Sequence, residues 1–212
     1  MPATLTRIVL NRSHPAARND LRDRVNLHKT LMRLLDSPTG PNPRKSGGLL
    51  FRLEHAPDPF LLVQTAQSPK LGGLPAGYGT LATRDLTPLL TALTAGLNVR
   101  YRITAAATAS VPSAPKAGNQ RRARGTDVLL EGHDAIGWWQ RRAAAAGLGL
   151  TGPVTAAPEP FASPKRPAPF FKLTQFDGTA TITDSDALHA ALRDGIGKGK
   201  TYGAGLLTLM PA

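Results

Sequence analysis

The chain has 212 residues, of which 26 are lysine or arginine and 14 are aspartate or glutamate, so its formal net charge is +12. It contains no cysteine, which excludes disulfides, zinc ribbons, iron–sulfur clusters and thiol catalysis. No run of about 18 apolar residues is present to span a bilayer. The excess positive charge favours a polyanionic partner, either nucleic acid or an anionic membrane surface. We expect a cytoplasmic protein without a membrane segment.

The first half of the chain alternates strand and helix patterns. Apolar residues recur on one broad arc from residue 20 to residue 35, which predicts a helix, and the prolines that follow end it. Two strand-like runs then flank an Ala-Pro-Asp-Pro turn. The predicted elements are a strand at 5–10, a helix at 20–35, strands at 48–55 and 60–66, and a helix at 87–95.

The second half repeats this order. It begins with a strand at 97–104 and a long loop, and it continues with a helix at 133–146, strands at 148–156 and 171–182, a helix at 184–193 and a strand at 206–210. The order β-α-β-β-α-β therefore occurs twice, which predicts an α+β fold of two tandem ferredoxin-like, or RRM-like, domains. We place these domains at residues 1–95 and 96–212, although the strand that begins at residue 97 could serve either one.

A glycine-rich run at residues 195–205 contains the tripeptide Gly-Lys-Thr, but it is not a P-loop. A P-loop would require glycine at position 194, where the chain has Asp194, and it would open a helix rather than lead into a strand. The five glycines expose backbone N–H groups, and Lys198 and Lys200 add charge, so the run could lie against a phosphate backbone. A flexible hairpin is the alternative interpretation.

A long segment without acidic residues lies between Asp85 and Asp127. Three arginines fall within four positions there, on a stretch that Pro112, Pro115 and Gly118 keep out of regular structure. Such an arm suits a folded RNA, and the alternative is a solvated linker. The cations of the segment are Arg100, Arg102, Lys116, Arg121, Arg122 and Arg124.

No two of the five histidines have the spacing of a metal-binding pair, so we expect neither a metal nor another cofactor. His28 falls within the apolar arc of the first predicted helix, beside a basic stripe that includes Lys29 and Arg33. A packed core histidine is the ordinary explanation of that position. A catalytic histidine would lie at the rim of the arc, where phosphate could reach it.

Binding of DNA is the competing class for a basic protein. Helix-turn-helix spacing and coiled-coil heptads are both absent, and the aromatic content of 5% argues against base stacking on single strands. The residues alone therefore indicate a basic tandem RRM-like protein that binds RNA.

Five segments, in order along the chain, resemble one family, the CasE endoribonucleases of type I-E CRISPR systems. Residues 27–33 are similar to its L-H-[KRQ]-T-L-M-R helix, and residues 49–54 are similar to its L-F-R-L-E strand. Residues 100–102 and 138–142 resemble its R-[FY]-R strand and W-x-x-R-R helix. The most specific match is residues 195–209, which resemble the glycine-rich G-I-G-[RK]-x-K-x-[YF]-G-x-G-L-L-T-L signature.

The resemblance implies a function. Such proteins bind the stem-loop of CRISPR repeat RNA, cleave the precursor at the 3′ base of the stem without a metal ion, and stay on the product with the other subunits of the Cascade complex. The 2′-hydroxyl attacks the adjacent phosphate, which leaves a 2′,3′-cyclic phosphate and a 5′-hydroxyl. His28, with Lys29 beside it, becomes the catalytic candidate. The candidate RNA-binding residues are Arg33, Arg100, Arg102, Lys116, Arg121, Arg122, Arg124, Lys198, Lys200 and Tyr202.

One position departs from the family pattern. The family often has tyrosine three residues before the histidine, and this chain has Val25 there. Lys29 or a lysine of the glycine-rich run could compensate electrostatically. The alternative is a catalytically weak or inactive subunit that only binds the RNA hairpin.

The charge of the arginine arm predicts a salt effect. Each phosphate contact to a duplex contributes about 0.9 to the slope of log affinity against log salt concentration, so replacing Arg121, Arg122 and Arg124 with alanine should flatten that slope by roughly 2 to 3. Hairpin binding across a salt series would measure the slope for the parent protein and the triple variant. Parallel lines of equal affinity would mean that the arm is a solvated linker.

Overall fold

The computed structural model describes residues 3–36, 40–55, 57–111, 126–160 and 172–212. The elements of its first half are β1 Thr4–Leu10, α1 Pro15–Arg22, α2 Arg24–Met32, α3 Pro43–Ser46, β2 Leu50–Glu54, β3 Phe60–Thr65, β4 Gly79–Asp85 and α4 Thr87–Ala92. Those of its second half are β5 Asn98–Ala105, β6 Thr108–Val111, β7 Thr126–Leu129, α5 Gly132–Ala145, β8 Leu148–Leu150, β9 Thr155–Glu159, β10 Leu173–Ile182, α6 Ser185–Asp194 and β11 Leu207–Pro211. Single 3₁₀ turns span Leu71–Gly73 and Lys200–Tyr202.

Two antiparallel sheets have the same strand arrangement. The first sheet has the order β2-β3-β1-β4, and the second has the order β11-β5-β10-β8 with β9 also paired to β10. The four main strands are, in chain order, β1, β2, β3 and β4 in the first sheet and β5, β8, β10 and β11 in the second. In both sheets the first and third of these strands lie at the centre and the second and fourth at the edges, which is the ferredoxin-like arrangement. The α+β tandem prediction is confirmed. The strand that begins near residue 97 is β5, and it pairs with β10 and β11 of the second sheet.

The first unit departs from the predicted order at its second helix. Strand β4, which the sequence analysis did not predict, follows β3 with only the 3₁₀ turn Leu71–Gly73 between them. Helix α4 comes after β4 and not before it. Most side chains of β4 are exposed, so its sequence lacks the apolar alternation that marks a half-buried strand.

The prediction of a single helix at 20–35 is wrong. The chain breaks at Asp23, whose backbone is extended at φ −143° and ψ 107°. Its carboxylate accepts a hydrogen bond from the N–H of Val25 at 2.9 Å and so caps the start of α2. The predicted strand at 148–156 is likewise two strands, β8 and β9, separated by a segment that contains Pro153, which has no N–H for a ladder.

Each sheet covers its own core. In the first, Leu27 and Leu31 of α2 are buried against Ile8 of β1 and Phe51 of β2. In the second, Trp139 of α5 stacks on Phe176 of β10 with ring centroids 5.9 Å apart, and Tyr101 of β5 lies 5.3 Å from the same indole. No helix in the described part of the chain combines the length and hydropathy that crossing a membrane requires.

A buried arginine of β2 joins the two sheets. Arg52 is 3% exposed, and its Nη1 donates hydrogen bonds to the carbonyl oxygens of Arg102 at 3.1 Å and Leu206 at 3.2 Å. Its Nη2 donates to the hydroxyl of Thr208, and its Nε donates to Glu54 at 2.7 Å. Nearby, the Gln64 amide of β3 donates to the carbonyl oxygen of Leu192 in α6. Side-chain to main-chain hydrogen bonds therefore align the two sheets.

Loss of the Arg52 guanidinium should destabilise the protein. Arg52→Met keeps most of the aliphatic stem but leaves two buried carbonyl oxygens and Glu54 without their partner, so we expect the free energy of unfolding to fall by about 3 kcal/mol. Urea denaturation followed by circular dichroism would measure it. Arg84→Met removes an exposed arginine of β4 and should change stability by less than about 0.5 kcal/mol. Equal stability of the two variants would show that Arg52 does not hold the sheets together.

Candidate functional site

His28 lies on α2 at the edge of the first core. Its side chain is half-buried, and its ring stacks on that of Phe51 in β2 with centroids 6.4 Å apart and planes 20° from parallel. The Nδ1 atom is buried without a hydrogen-bond partner, so Nε2 is the ring nitrogen that a substrate can reach. Burial lowers the pKa of His28, and the positive charge of Arg44 lowers it further. Both effects favour the neutral form of the imidazole.

The residues around His28 on α2 differ in their exposure. Lys29 is exposed beside it, and Arg33, at the end of the helix, is exposed as well. Because residues four apart lie on the same side of a helix, these two cations are neighbours on the outer surface of α2. Arg33 also acts on the buried Asp20 carboxyl, where its charge opposes the increase in pKa that burial causes.

The glycine-rich run at residues 195–205, which we call the glycine loop, packs against α2 and β2 through its 3₁₀ turn, Lys200–Tyr202. All five of its glycines have positive φ values between 73° and 90°, a backbone region that side chains other than glycine rarely adopt. A Cβ at Gly203 would lie 3.0 Å from the Phe51 ring and 3.4 Å from Nη1 of Arg24. The absence of side chains therefore lets the loop approach the strand that supports His28.

Lys200 is the cation that the glycine loop brings to this site. Its ammonium donates a hydrogen bond to the carbonyl oxygen of Gly197 at 2.8 Å. Burial lowers its pKa, as do the charges of Arg44, Lys45 and Arg142, whereas Asp194 opposes them. Lys200 is thus a half-buried cation among other cations, an arrangement that favours an anionic ligand. Tyr202, in the same 3₁₀ turn, is half-buried.

Arg142 approaches the loop from α5. Its guanidinium lies 5.7 Å from the centre of the Trp138 ring, within cation–π distance. A Cβ at Gly197 would lie 3.3 Å from the same indole, so Trp138 packs directly against the glycine loop. The W-x-x-R-R helix and the loop, which are separate motifs in the sequence, therefore form one surface.

Other candidate cations are paired. Lys198 donates to both carboxylate oxygens of Asp127, at 2.5 and 2.7 Å, and so joins the glycine loop to β7. Arg102 is bound by Asp177 at 2.6 Å and by Glu54 at 3.2 Å. Arg100 is exposed two residues earlier on β5, and the structure shows no ion pair for it among the described residues. Lys116, Arg121, Arg122 and Arg124 lie outside the described residues.

A buried ion pair that the sequence analysis missed holds α2 in place. Arg24, 2% exposed, donates to Oε1 of Glu159, whose side chain is 7% exposed, at 3.0 Å. Its Nη2 also donates to the carbonyl oxygen of Pro160, and His55 lies 3.0 Å from the same Glu159 oxygen. Arg24 precedes His28 by one helical turn, so the pair ties the helix that carries His28 to the second half of the chain.

Sequence patterns gave little indication of Arg44, which directly follows Pro43 and begins the two-residue basic run Arg44-Lys45. In the part of the chain that the structure describes, no group of three or more histidine, aspartate or glutamate side chains is arranged to hold a metal ion. The site consists of one imidazole and several cations.

Known proteins match over the whole chain. The chain is 30% identical to the CRISPR-associated endoribonuclease Cse3 of Thermus thermophilus over 223 aligned positions, which cover 98% of this chain and 99% of that one. The structure of Thermus thermophilus Cse3 bound to an RNA representing a pre-cleavage complex superposes with a TM-score of 0.81 at 27% identity and covers 100% of both chains. A chain of a CRISPR RNA-guided surveillance complex in a pre-nicking state matches with a TM-score of 0.66 at 34% identity, over 99% of this chain and 100% of that one.

A family model described as CRISPR associated protein matches residues 5–211. The chain therefore belongs to this family of CRISPR-associated proteins.

Proposed function

We propose that this chain is an endoribonuclease that binds the stem-loop of CRISPR repeat RNA and cuts the precursor at the 3′ base of the stem. We further infer that it stays on the mature RNA as a subunit of the type I-E Cascade complex. The relative of known activity is a CRISPR-associated endoribonuclease, and similar chains occur bound to RNA and within a surveillance complex. The packing of the Lys200–Tyr202 turn of the glycine loop against α2, which carries His28, is the observation that carries the proposal.

These residues can supply the chemistry of RNA cleavage. The Nε2 atom of His28 takes the proton of the ribose 2′-hydroxyl, and the 2′-oxygen attacks the adjacent phosphorus. The bond from phosphorus to the 5′-oxygen breaks, which yields a 2′,3′-cyclic phosphate and, once that oxygen takes a proton, a 5′-hydroxyl. The Lys200 ammonium stabilises the negative charge that develops on the phosphate and can donate that proton. Because side chains fill each role, the step needs no metal ion.

RNA binding is assigned to exposed or half-buried cations near this site. Lys29, Arg33, Lys200 and the aromatic Tyr202 lie on α2 and the glycine loop. We also assign RNA binding to Arg100 and, from the sequence, to Lys116, Arg121, Arg122 and Arg124. Arg102 and Lys198 each have their charge balanced by carboxylates, so we assign them chiefly to holding the two sheets and the loop together.

We infer that the ferredoxin-like units form domains at residues 1–95 and 96–212. The cleavage site then combines α2 of the first domain with the glycine loop of the second. We propose the cytoplasm as the location, since the precursor RNA is the substrate and is made there.

A second function is favoured by one observation, Val25 in the position where the family often has tyrosine. In that case the chain binds the repeat hairpin but cuts it weakly or not at all. Incubation of the purified protein with its repeat RNA in EDTA distinguishes the two functions, because only the endoribonuclease releases cleaved product there.

Removal of the His28 imidazole should abolish cleavage and spare binding. We expect His28→Ala to lower the single-turnover cleavage rate by at least ~10²-fold, the usual contribution of one general acid or base, with hairpin affinity almost unchanged. His133→Ala, a change at an exposed histidine of α5, is the matched control and should cut normally. An RNA with 2′-hydrogen at the scissile nucleotide should bind but stay intact. Equal loss of binding and cleavage in His28→Ala would return His28 to the role of core residue.

The pH dependence of cleavage tests the protonation state of His28. A general base must be neutral, so kcat/KM should fall as acid protonates the imidazole of the free enzyme. Because burial and Arg44 lower this pKa, the midpoint of that acid limb should lie below the ordinary histidine value of 6.5. The residual activity of His28→Ala should lack the limb. A kcat/KM that instead falls as pH rises through this range would assign His28 the role of acid.

A further inference from the structure

Arg44, on the short helix α3, is anchored at the entrance to β2. Its Nη1 donates a hydrogen bond to the carbonyl oxygen of Leu49 at 2.8 Å, and its side chain is half-buried. Within the described residues it makes no salt bridge. A guanidinium has five N–H donors, so this anchor leaves several donors for a ligand.

The residues that follow Leu49 connect Arg44 to the cleavage site. A Cβ at Gly195 would lie 2.7 Å from Leu50 and 3.0 Å from the Cε of Lys200, which places the lysine stem beside Leu50. The next residue, Phe51, stacks on His28. Leu49, just before β2, and Leu50 and Phe51, the first two residues of β2, therefore bring Arg44, Lys200 and His28 to the same place.

The charges at this place are poorly balanced. Arg44 lowers the pKa of both His28 and Lys200, which shows that its charge reaches both groups. Burial lowers the pKa of Arg44 itself. Among the described residues, Asp194 is the carboxylate whose charge opposes the lowering of the Lys200 pKa. Half-buried cations that repel one another are stabilised by an anion bound among them.

We propose that Arg44 is an additional substrate-binding residue of the cleavage site, which holds the scissile phosphodiester between α3 and Lys200 of the glycine loop. The proposal rests on the endoribonuclease function proposed above. A guanidinium can bind two phosphate oxygens at once, which Lys200 cannot do, so Arg44 orients the phosphate while Lys200 balances its charge. Val25 provides no hydroxyl. We therefore assign stabilisation of the transition state to the pair Arg44 and Lys200.

The test compares three variants in single-turnover cleavage of the repeat hairpin. Arg44→Gln keeps a donor for the Leu49 carbonyl but removes the charge, so a purely structural role would leave it active. We expect cleavage at saturating RNA to fall by roughly 10²-fold, as for loss of one donor to a developing oxyanion. Arg44→Lys should recover part of the rate. Arg84→Gln, a change at an exposed cation of β4 that the site does not include, is the control and should stay within about threefold of the parent protein.

A pH profile adds a readout that loss of structure would not produce. Because a neighbouring positive charge has been removed, the acid-limb midpoint of kcat/KM should rise toward 6.5 in Arg44→Gln and stay unchanged in Arg84→Gln. Equal rates and equal midpoints for the two glutamine variants would overturn the proposal. The proposal would also be overturned if Arg44→Gln cut more slowly but kept both the acid-limb midpoint of the parent protein and its slope of log affinity against log salt concentration.

Binding of an uncleavable hairpin separates this proposal from the proposed function. With 2′-hydrogen at the scissile nucleotide, the slope of log affinity against log salt should fall by about 1 in Arg44→Gln, as expected for one lost phosphate contact. If the parent protein binds but does not cut the natural RNA, the endoribonuclease function fails, while this slope still reports the phosphate contact of Arg44. A slope equal to that of the parent protein would show that Arg44 does not touch the RNA backbone.

Discussion

The buried guanidinium of Arg52 is the contact on which the relative position of the two sheets depends. Burial of a charge is costly unless hydrogen bonds and a counter-charge compensate for it, and here the carbonyl oxygens of Arg102 and Leu206 together with Glu54 provide both. Leu206 directly follows the last glycine of the glycine loop. By holding this carbonyl, Arg52 sets where the loop returns to the second sheet, and its neighbour Phe51 supports His28. Domain alignment and site geometry are thus set at adjacent positions of one strand.

Two features of the glycine loop lower the stability of the free protein but suit the binding of an anionic ligand. Its backbone crosses the edge of the first sheet at distances that a side chain would forbid, and its left-handed glycines lose more conformational entropy on folding than other residues would. It also places Lys200 near Arg44 and Arg142, where like charges repel in the free protein. Neither feature stabilises the fold, but both suit a surface that closes around a phosphate chain. Under the proposed function, bound RNA should therefore raise the stability of the folded protein.

The parts of the fold that the sequence predicts are those with local apolar patterns. Helices α5 and α6 and most central strands follow from periodicity. Strand β4 does not, because most of its side chains are exposed and show no apolar alternation. The break at Asp23 does not either, because the apolar pattern continues across it. At the site, the sequence motifs identify His28 and the glycine loop. They cannot identify the partner of Arg24, since Glu159 is 135 positions away and no local pattern connects the two. The sequence likewise predicts Arg102 as a cation available to RNA, because the carboxylates that bind it in the fold, Asp177 and Glu54, are far from it along the chain.

The composite nature of the site has a consequence for protein synthesis. The ribosome adds residue 28 well before residue 200, and the first core can form from residues that all precede the second sheet. A nascent chain therefore contains the histidine of the site long before the loop that packs against β2 has been made. During that time the site lacks Lys200 and the rest of the glycine loop. Under the proposed function, the site is complete only when the last strand has paired with β5 and the glycine loop lies against β2, so a chain released before that point has only one half of the site.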